Sequence, residues 1–272
     1  MTSPCELQIY TPESKKAQTV AKEILHMAKG LEKKYNFYDP KSYLSALNER
    51  KVAELDLETK ELLRRAKLFY TQTQGLFDIT MGTLTKARKL PTTKEIEEAI
   101  IKLTPSLGVE HFDLKKDRLS FDNPYTKIDL GGLVKEYAVD KAVKLLRKAK
   151  ISAALVNFGG DIYALGSKPQ GKPFIIGIKN PHDPSQYLTH MEIQNQALTT
   201  SASYERSHQV EADAYSHIIT TSPMQSEILS TTVIAPSTVE AGVFSTALML
   251  QPQLKHRYES LLIAKDLTLH KH

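Results

Sequence analysis

Two glycine pairs flanked by charged residues are the part of the sequence best suited to hold a phosphate group or a metal ion. The first lies in Asp129-Leu-Gly-Gly-Leu-Val-Lys135, and the second is Gly159-Gly160-Asp161. Glycine lets the backbone approach a ligand closely and adopt positive φ, where a side chain would collide. We expect Asp129 to end a strand at the mouth of a cleft, beside the exposed backbone of the first glycine pair. A helix N-cap followed by a tight turn is the alternative role.

Lys135 lies near the start of the helix that the sequence predicts after this segment. An ammonium group at a helix N-terminus opposes the helix macrodipole, whereas a bound anion is favoured there. Lys135 is therefore a candidate ligand for an anion. A solvated surface lysine is the alternative.

Three further residue groups could take part in chemistry. Phe77-Asp78-Ile79-Thr80 combines an aromatic ring, a carboxylate and a hydroxyl in one loop, although local capping explains it equally well. His217 is out of phase with the apolar residues around it, so it could point into a cleft, although the residues alone slightly favour a hydrogen-bonded strand histidine. Thr246 lies on the last predicted helix, where a hydroxyl commonly bonds back to a carbonyl.

Composition excludes several classes of protein. The 272 residues carry a net charge of +5, with a sequence pI of about 9.0 and no long block of like charges, which predicts no nucleic-acid role. No apolar run approaches the ~18 residues that span a bilayer. Met1 to Tyr10 has neither the basic start nor the apolar core of a signal peptide, which favours the cytoplasm. Without an HExxH or CxxC motif, a zinc or iron site is not expected.

The elements that must position these residues divide into early helices and later strands, which predicts an α+β fold. Predicted helices run from Thr11-Pro12 to about Tyr35, from Ser42, from Leu57 to Gln74, near Thr93 to Leu103, from Leu133 to Lys148, and from Ser237 or Thr238. Predicted strands comprise a hairpin from Val109 to Phe121, a strand ending at Asp129, and Ala153 to Val156, Phe174 to Ile178, Leu188 to Ile193, Tyr215 to Ile219 and Ile228 to Ile234.

Taken together, seven segments resemble the ApbE-like FAD:protein FMN transferase family in order and spacing. They are Tyr38 to Asn48, Phe77 to Gly82, Asp129 to Asp140, Val156 to Asp161, Thr200 to Arg206, Ser216 to Ile218 and Ser245 to Ala247. The resemblance implies one ApbE-like domain over residues 1–272 with a two-lobed α+β fold. Its helices would be concentrated in the N-terminal half and a mixed or antiparallel sheet in the C-terminal half.

The resemblance also implies an activity and a set of site residues. Such an enzyme moves FMN from FAD onto a threonine or serine of an acceptor flavoprotein, releases AMP and depends on Mg²⁺. The FAD-binding residues implied are Tyr38, Leu76, Phe77, Asp78, Asp129, Lys135 and Ile218. Gly132, Ser245 and Thr246 would contact Mg²⁺, and His217 would act as the catalytic acid/base or position the acceptor.

The chain departs from the family pattern at the metal site. Gly242 stands where the family usually has an aspartate, and Glu136 follows Lys135 where glycine is usual. Mg²⁺ held only by neutral oxygens should bind weakly. The phosphates of FAD could supply the missing charge; Glu240 is near in sequence but faces elsewhere on a helix. If the carboxylate is what is missing, Gly242→Asp should create metal-dependent turnover.

Two alternative functions therefore remain beside the active transferase. One is an FAD-binding homologue with weak or no transfer, either a flavin carrier or a slow FAD hydrolase, which altered residues at Thr200 to Ala202 and Thr220 to Pro223 also favour. The other is a structural or interaction protein without the ligand. Because family members are often exported, a periplasmic location also stays open.

Overall fold

The computed structural model describes residues 4–203, 207–210, 213–216 and 227–272, with backbone only for 207–210 and 213–216. The chain forms two compact units. The sheet unit takes in the described residues up to Glu32, Leu133–Ala202 and the residues from Glu227 onward. The helical unit is Lys33–Gly132 with the described part of Ser203–Ser226. Each unit carries some of the predicted site residues.

The helices and strands follow in chain order. The helices are α1 (Ser14–Tyr35), α2 (Tyr43–Asn48), α3 (Leu57–Gln72), α4 (Thr93–Leu103), α5 (Gly131–Lys148) and α6 (Thr238–Leu250). The strands are β1 (Cys5–Tyr10), β2 (Phe112–Lys115), β3 (Arg118–Phe121), β4 (Ala153–Phe158), β5 (Asp161–Leu165), β6 (Phe174–Lys179), β7 (Tyr187–Ile193), β8 (Gln196–Ala202), β9 (Ser207–Val210), β10 (Asp213–Ser216), β11 (Ile228–Ala235), β12 (Glu259–Ala264) and β13 (Leu269–Lys271). The α+β class is confirmed.

The sheet unit is built on an antiparallel sheet in the order β1-β4-β5-β8-β11-β12-β13. Ile162, Leu198 and Ile234 lie on one face and form a core with the β6–β7 hairpin. α6 packs on the other face, along β8 and β11. Since side chains alternate between the faces of a strand, Asp161, Thr199 and Ser201 point to the α6 side.

Helix α6 is apolar on almost all sides, which is the pattern of a buried helix. Its N-cap is Ser237, whose hydroxyl accepts a hydrogen bond from the Glu240 amide at 3.2 Å. The Asp140 carboxylate, on α5, accepts hydrogen bonds from the amides of Thr238 (2.8 Å) and Val239 (3.3 Å). A carboxylate is stabilised at a helix N-terminus, so Asp140 fixes the start of α6 against α5.

The helical unit contains α2, α3, α4 and the β2–β3 hairpin around buried leucines such as Leu44 and Leu62. Side-chain caps begin its helices. Ser42 accepts from the Ser45 amide at 3.0 Å, and Asp56 accepts from the Thr59 amide at 2.8 Å. These starts agree with the sequence prediction.

Two sequence expectations about the segment around Asp129 were wrong. The segment before Asp129 is not a strand, because the Asn48 side chain, instead of a neighbouring strand, bonds its backbone at Ile128. Gly131 and Gly132 form the first turn of α5 instead of a separate turn, whereas Gly159 and Gly160 do turn with positive φ of 61° and 93°.

The N-terminus differs as well. Strand β1 was not predicted; it pairs with β4, and α1 begins at Ser14, after Thr11-Pro12. The Thr11 hydroxyl accepts a hydrogen bond from the Glu13 amide at 3.2 Å, ahead of the helix. No described helix is long and apolar enough to cross a membrane.

Candidate functional site

Lys135 is paired with a buried carboxylate. Its ammonium group forms an ion pair with Asp161, at the start of β5, and lies 4.0 Å from Glu136 Oε1. The Lys135 side chain is 20% exposed and that of Asp161 only 2% exposed. A solvated surface lysine is therefore the wrong description, because Lys135 balances a buried negative charge.

Glu136 is buried as well, but its charge is not balanced in the same way. Its Oε2 atom has no hydrogen-bond partner among the described residues. Burial raises the pKa of Glu136, the negative charge of Asp161 raises it further, and Lys135 opposes both effects. An ionised carboxylate is costly in such a place unless something positive or a hydrogen-bond donor meets it.

Gly242 leaves the space that Glu136 occupies. A Cβ atom at position 242 would lie 2.6 Å from Glu136 Cγ and 3.2 Å from Glu136 Oε1. Atoms do not approach so closely, so any side chain at 242 would displace Glu136. The Gly242→Asp substitution predicted above would therefore collide with Glu136 unless that residue were changed too.

Three hydroxyl groups meet beside Gly242. Ser201 Oγ lies 2.8 Å from Ser245 Oγ and 3.2 Å from Thr246 Oγ1. Ser245 also donates to the Gly242 carbonyl at 3.0 Å, as hydroxyls in helices commonly do. Thr246 is instead paired across to the sheet. Ser245 and Thr246, both predicted metal contacts, thus share one cluster with Ser201.

The sheet beneath this cluster carries more oxygen atoms. Asp161 lies opposite Thr199 in the β5–β8 ladder, and Thr231 lies opposite Ser201 in the β8–β11 ladder. Residues directly opposite in antiparallel strands share a face. The hydroxyls of Thr199 and Thr231 are buried and have no hydrogen-bond partner within the described residues. A row of oxygen atoms therefore crosses three strands under α6.

In the helical unit, Asp78 caps a short 3₁₀ helix, Ile79–Leu84. Its Oδ1 accepts hydrogen bonds at 2.7 Å from both the amide and the hydroxyl of Thr80, and Thr80 Oγ1 accepts from the Gly108 amide at 2.7 Å. Burial raises the pKa of Asp78, and the hydrogen bonds from Thr80 lower it by less. The capping interpretation is confirmed, and a role in FAD binding stays a prediction.

The extended segment leading to Asp129 is held mainly by side chains. Asn48 Nδ2 donates to the Ile128 carbonyl and Asn48 Oδ1 accepts from the Ile128 amide, both at 2.8 Å. Thr83 Oγ1 accepts from the Lys127 amide at 2.9 Å. These bonds take the place of the neighbouring strand that a strand at this position would need.

Asp129 itself is fixed against the 3₁₀ helix. Its amide donates to the Ile79 carbonyl at 2.8 Å, and a Cβ at Gly82 would lie 2.9 Å from the Asp129 nitrogen. The Asp129 carboxylate accepts from the Gly131 amide at 2.8 Å, and burial raises its pKa. Asp129 therefore contributes to the start of α5, in line with the alternative role.

Tyr38 lies at a cavity of about 410 Å³ within the helical unit. Tyr38 is 66% exposed, and Lys89 Nζ lies 4.5 Å from the centroid of its ring. The other basic residues of the lining are Lys51, Lys86 and Lys127, and the lining's acidic residue is Glu49. A phosphate-bearing molecule suits such a lining.

The predicted residues fall into two groups, one in each unit. Tyr38, Leu76, Phe77, Asp78, Asp129 and Gly132 belong to the helical unit, and Lys135, Ser245 and Thr246 to the sheet unit. Phe77 is buried, and a Cβ at Gly132 would lie 3.6 Å from its ring. The roles of His217 and Ile218 stay predictions, since both lie outside the described residues.

Sequence reasoning did not assign a site role to Glu136, Asp161, Ser201 or Asn48. A signal for Glu136 was present: it falls between Leu133 and Val139 on the buried side of α5, where a charged residue is unusual. The described residues contain no group of three or more His, Cys, Asp or Glu side chains able to hold a metal ion. The geometry offers instead two carboxylates and several hydroxyl groups as oxygen atoms that could bind a metal ion.

Two of the curated relatives are FAD:protein FMN transferases. The FAD:protein FMN transferase of Klebsiella pneumoniae is 30% identical over 211 residues, covering 73% of this chain and 59% of that protein's length. The Vibrio cholerae protein of the same name is 26% identical over 254 residues, covering 89% of this chain and 76% of the relative. The chain thus spans less than two thirds of the first of these relatives.

Solved structures show the same fold. The ApbE protein of Thermotoga maritima matches with a TM-score of 0.88 and 26% identity, over 99% of this chain and 93% of the other. The flavin transferase ApbE of Vibrio cholerae matches with a TM-score of 0.82 at 23% identity, which shows the fold alone. The sequence profile of the ApbE family matches residues 1–260. The chain therefore belongs to the ApbE family.

Proposed function

We propose that this protein transfers FMN from FAD to a threonine or serine of an acceptor flavoprotein, with Mg²⁺ as the metal. The observation that carries the proposal is the grouping of the predicted residues. Within the sheet unit, Lys135 pairs with the buried carboxylate of Asp161, and Ser245 and Thr246 share a hydroxyl cluster with Ser201. Within the helical unit, Asp129 lies at the start of α5 and Tyr38 lines a lysine-rich cavity. Family membership over residues 1–260 supports the same activity.

The transfer breaks one bond of the FAD pyrophosphate and forms one new phosphate ester. The acceptor hydroxyl oxygen attacks the phosphorus of the FMN half, AMP leaves with the bridging oxygen, and the hydroxyl proton passes to a base. His217 is the predicted base. A divalent cation, when bound, neutralises the charge that develops on the phosphoryl oxygens.

The donor atoms of the sheet unit suit Mg²⁺. Hard cations prefer carboxylate, hydroxyl and carbonyl oxygens, and Glu136 Oε2 is a buried carboxylate oxygen whose need for a partner is unmet among the described residues. Ser245 and Thr246 add hydroxyls from the same unit. The carbonyl of Gly132, in the helical unit, stays a predicted ligand. The chain's own part is to position these oxygens, while Lys135 compensates Asp161.

A second candidate is an FAD-binding protein with weak or no transfer. Gly242 favours it, because α6 offers no aspartate at that position. The two candidates differ in metal dependence and in products. Incubation with FAD and an acceptor should give AMP and covalent flavin under the first candidate, whereas tight FAD binding that EDTA does not affect, without AMP, would establish the second.

A further inference from the structure

The buried Glu136 carboxylate is the feature of the sheet unit that the proposed function has not yet used fully. Its side chain is 8% exposed, and Oε2 has no hydrogen-bond partner among the described residues. A carboxylate that only filled space would be replaced at lower cost by an apolar residue. Its position therefore points to a positive ligand.

The packing of α5 on α6 places Glu136 beside the hydroxyl cluster. Asp140 meets Thr238 at the start of α6, and one helical turn away Glu136 meets Gly242. Ser245 and Thr246 follow Gly242 by three and four residues, so they lie on the same face of α6. The carboxylate and the two hydroxyls thus border the same region.

Charge balance also favours a cation. Asp161 and Glu136 are two buried carboxylates, and Lys135 forms its ion pair with Asp161 while staying 4.0 Å from Glu136. Burial and Asp161 both act against the charge of Glu136. A bound divalent cation would stabilise it at short range.

The nearby Glu240 is engaged elsewhere. Its Oε1 accepts from Tyr258 at 3.0 Å and its Oε2 accepts from Ser237 at 2.8 Å, and Arg257 also lies 3.4 Å from Oε1. Glu240 therefore belongs to the cap of α6 and its surroundings. Among the residues that the structure describes, Glu136 is the acidic side chain that directly faces Gly242.

We propose that Glu136 is the carboxylate ligand of the divalent cation, supplied from α5 into the space that Gly242 leaves on α6. The inference rests on the proposed function for the need of a metal, but the ligand assignment comes from this geometry. This assignment explains why glycine at 242 and glutamate at 136 occur together: the Glu136 side chain fills the space that a side chain at position 242 would need.

The test measures metal binding directly. Mn²⁺ is titrated into the wild-type protein and its variants, with and without FAD, and free Mn²⁺ is followed by electron paramagnetic resonance. Glu136→Gln keeps the side-chain shape and removes the charge. Because changes one shell further out cost ~10–100-fold in metal affinity, we expect a loss of at least roughly 100-fold here. Glu240→Gln is the matched control and should bind Mn²⁺ like the wild type.

A second pair of variants moves the carboxylate to α6. Glu136→Ala with Gly242→Asp is compared with Glu136→Ala with Gly242→Asn, which has nearly the same shape without the charge. The aspartate version should bind Mn²⁺ at least about 10-fold more tightly. This pair keeps the proposal testable if Glu136→Gln does not fold.

The outcomes separate this inference from the proposed function. FAD binding, followed by flavin fluorescence, should be kept in Glu136→Gln. Wild-type affinity for Mn²⁺ in Glu136→Gln, or no Mn²⁺ binding by the wild type in either condition, would overturn the ligand assignment. Failure of the wild type to bind FAD would overturn the proposed function. The Mn²⁺ titration without FAD would then still test whether Glu136 is a metal ligand.

Discussion

At the scale of single residues, each unit has a carboxylate that makes a structural contact, and Asp78 also has a predicted role in FAD binding. Asp78 caps the Ile79–Leu84 helix while burial raises its pKa, and Asp161 balances Lys135. A residue that costs stability as a buried charge is a candidate for function, since natural sites commonly sacrifice stability. Substitutions that keep the shape and remove the charge separate the two roles.

Asp78→Asn should leave stability unchanged or slightly higher and weaken FAD binding. Asparagine caps a helix about as well as aspartate, so the contact with the Thr80 amide is kept. The charge that burial disfavours is lost. Thermal unfolding and FAD titration measure the two effects. Unchanged FAD affinity would remove Asp78 from the predicted binding set.

Asp56→Ala should destabilise the protein by about 1 kcal/mol at neutral pH, through loss of the α3 cap. Burial acts to raise the pKa of Asp56, but hydrogen bonds from Lys34 and Thr59 outweigh it and lower the pKa below 3.8. A lowered carboxyl pKa gives stability that is present above the unfolded value of about 3.9 and is lost as pH falls through the folded value.

Urea unfolding of the wild type and Asp56→Ala at pH 7 and near pH 3 tests this dependence. The difference between the two proteins should shrink at the lower pH. Asp56→Asn is the control, because it keeps the cap without the charge. A difference that grew on acidification would contradict the assignment.

At the scale of elements, periodic patterns predicted the helices well, and non-local contacts decided the rest. α3, α4 and α5 start within about two residues of the expected positions, since caps and apolar faces are local signals. The segment before Asp129 is extended, but Asn48 and Thr83 hold it in place of a neighbouring strand. Asn48 lies far away in sequence, so no local pattern could indicate this.

The candidate site was likewise predictable from local sequence signals only in part. Its residue types could be predicted from the sequence, whereas the contact between Glu136 and Gly242 depends on how α5 packs on α6. Asp140 sets that packing through two amides of α6. Only the three-dimensional structure brings these residues together.

Gly82→Ala tests the element that positions Asp129. The new methyl group would lie 2.9 Å from the Asp129 nitrogen and from the Lys127 carbonyl oxygen, which are backbone atoms and cannot move aside cheaply. We expect a loss of about 1–3 kcal/mol, as for other overpacked positions. FAD affinity should fall with it, because Asp129 and the start of α5 shift together. Chemical denaturation and FAD titration measure the two effects.

A matched control for Gly82→Ala is Gly30→Ala. Gly30 lies within α1, and its added methyl group would meet nothing within 4 Å. Alanine is the better helix former, so this change should be neutral or stabilising. Equal destabilisation by both substitutions would show that the close approach at Gly82 is not the cause.

At the scale of the whole molecule, a fold shared with the ApbE family carries the metal site that we propose for this chain. The chain belongs to the ApbE family over residues 1–260, yet its buried acidic side chain beside the α6 hydroxyls comes from α5. If Glu136 takes the place of the usual aspartate, FMN transfer should remain metal-dependent. If Glu136 does not take that place, FAD should bind without being turned over.

AMP release is the most direct measurement of this claim. The purified protein is incubated with FAD and an acceptor that the Vibrio cholerae relative flavinylates in the same assay, with Mg²⁺ or with EDTA. AMP is quantified by chromatography and covalent flavin by the mass of the acceptor. We expect equal amounts of AMP and flavinylated acceptor with Mg²⁺ and neither with EDTA. FAD binding without AMP in Mg²⁺, while the relative turns over, would contradict this expectation.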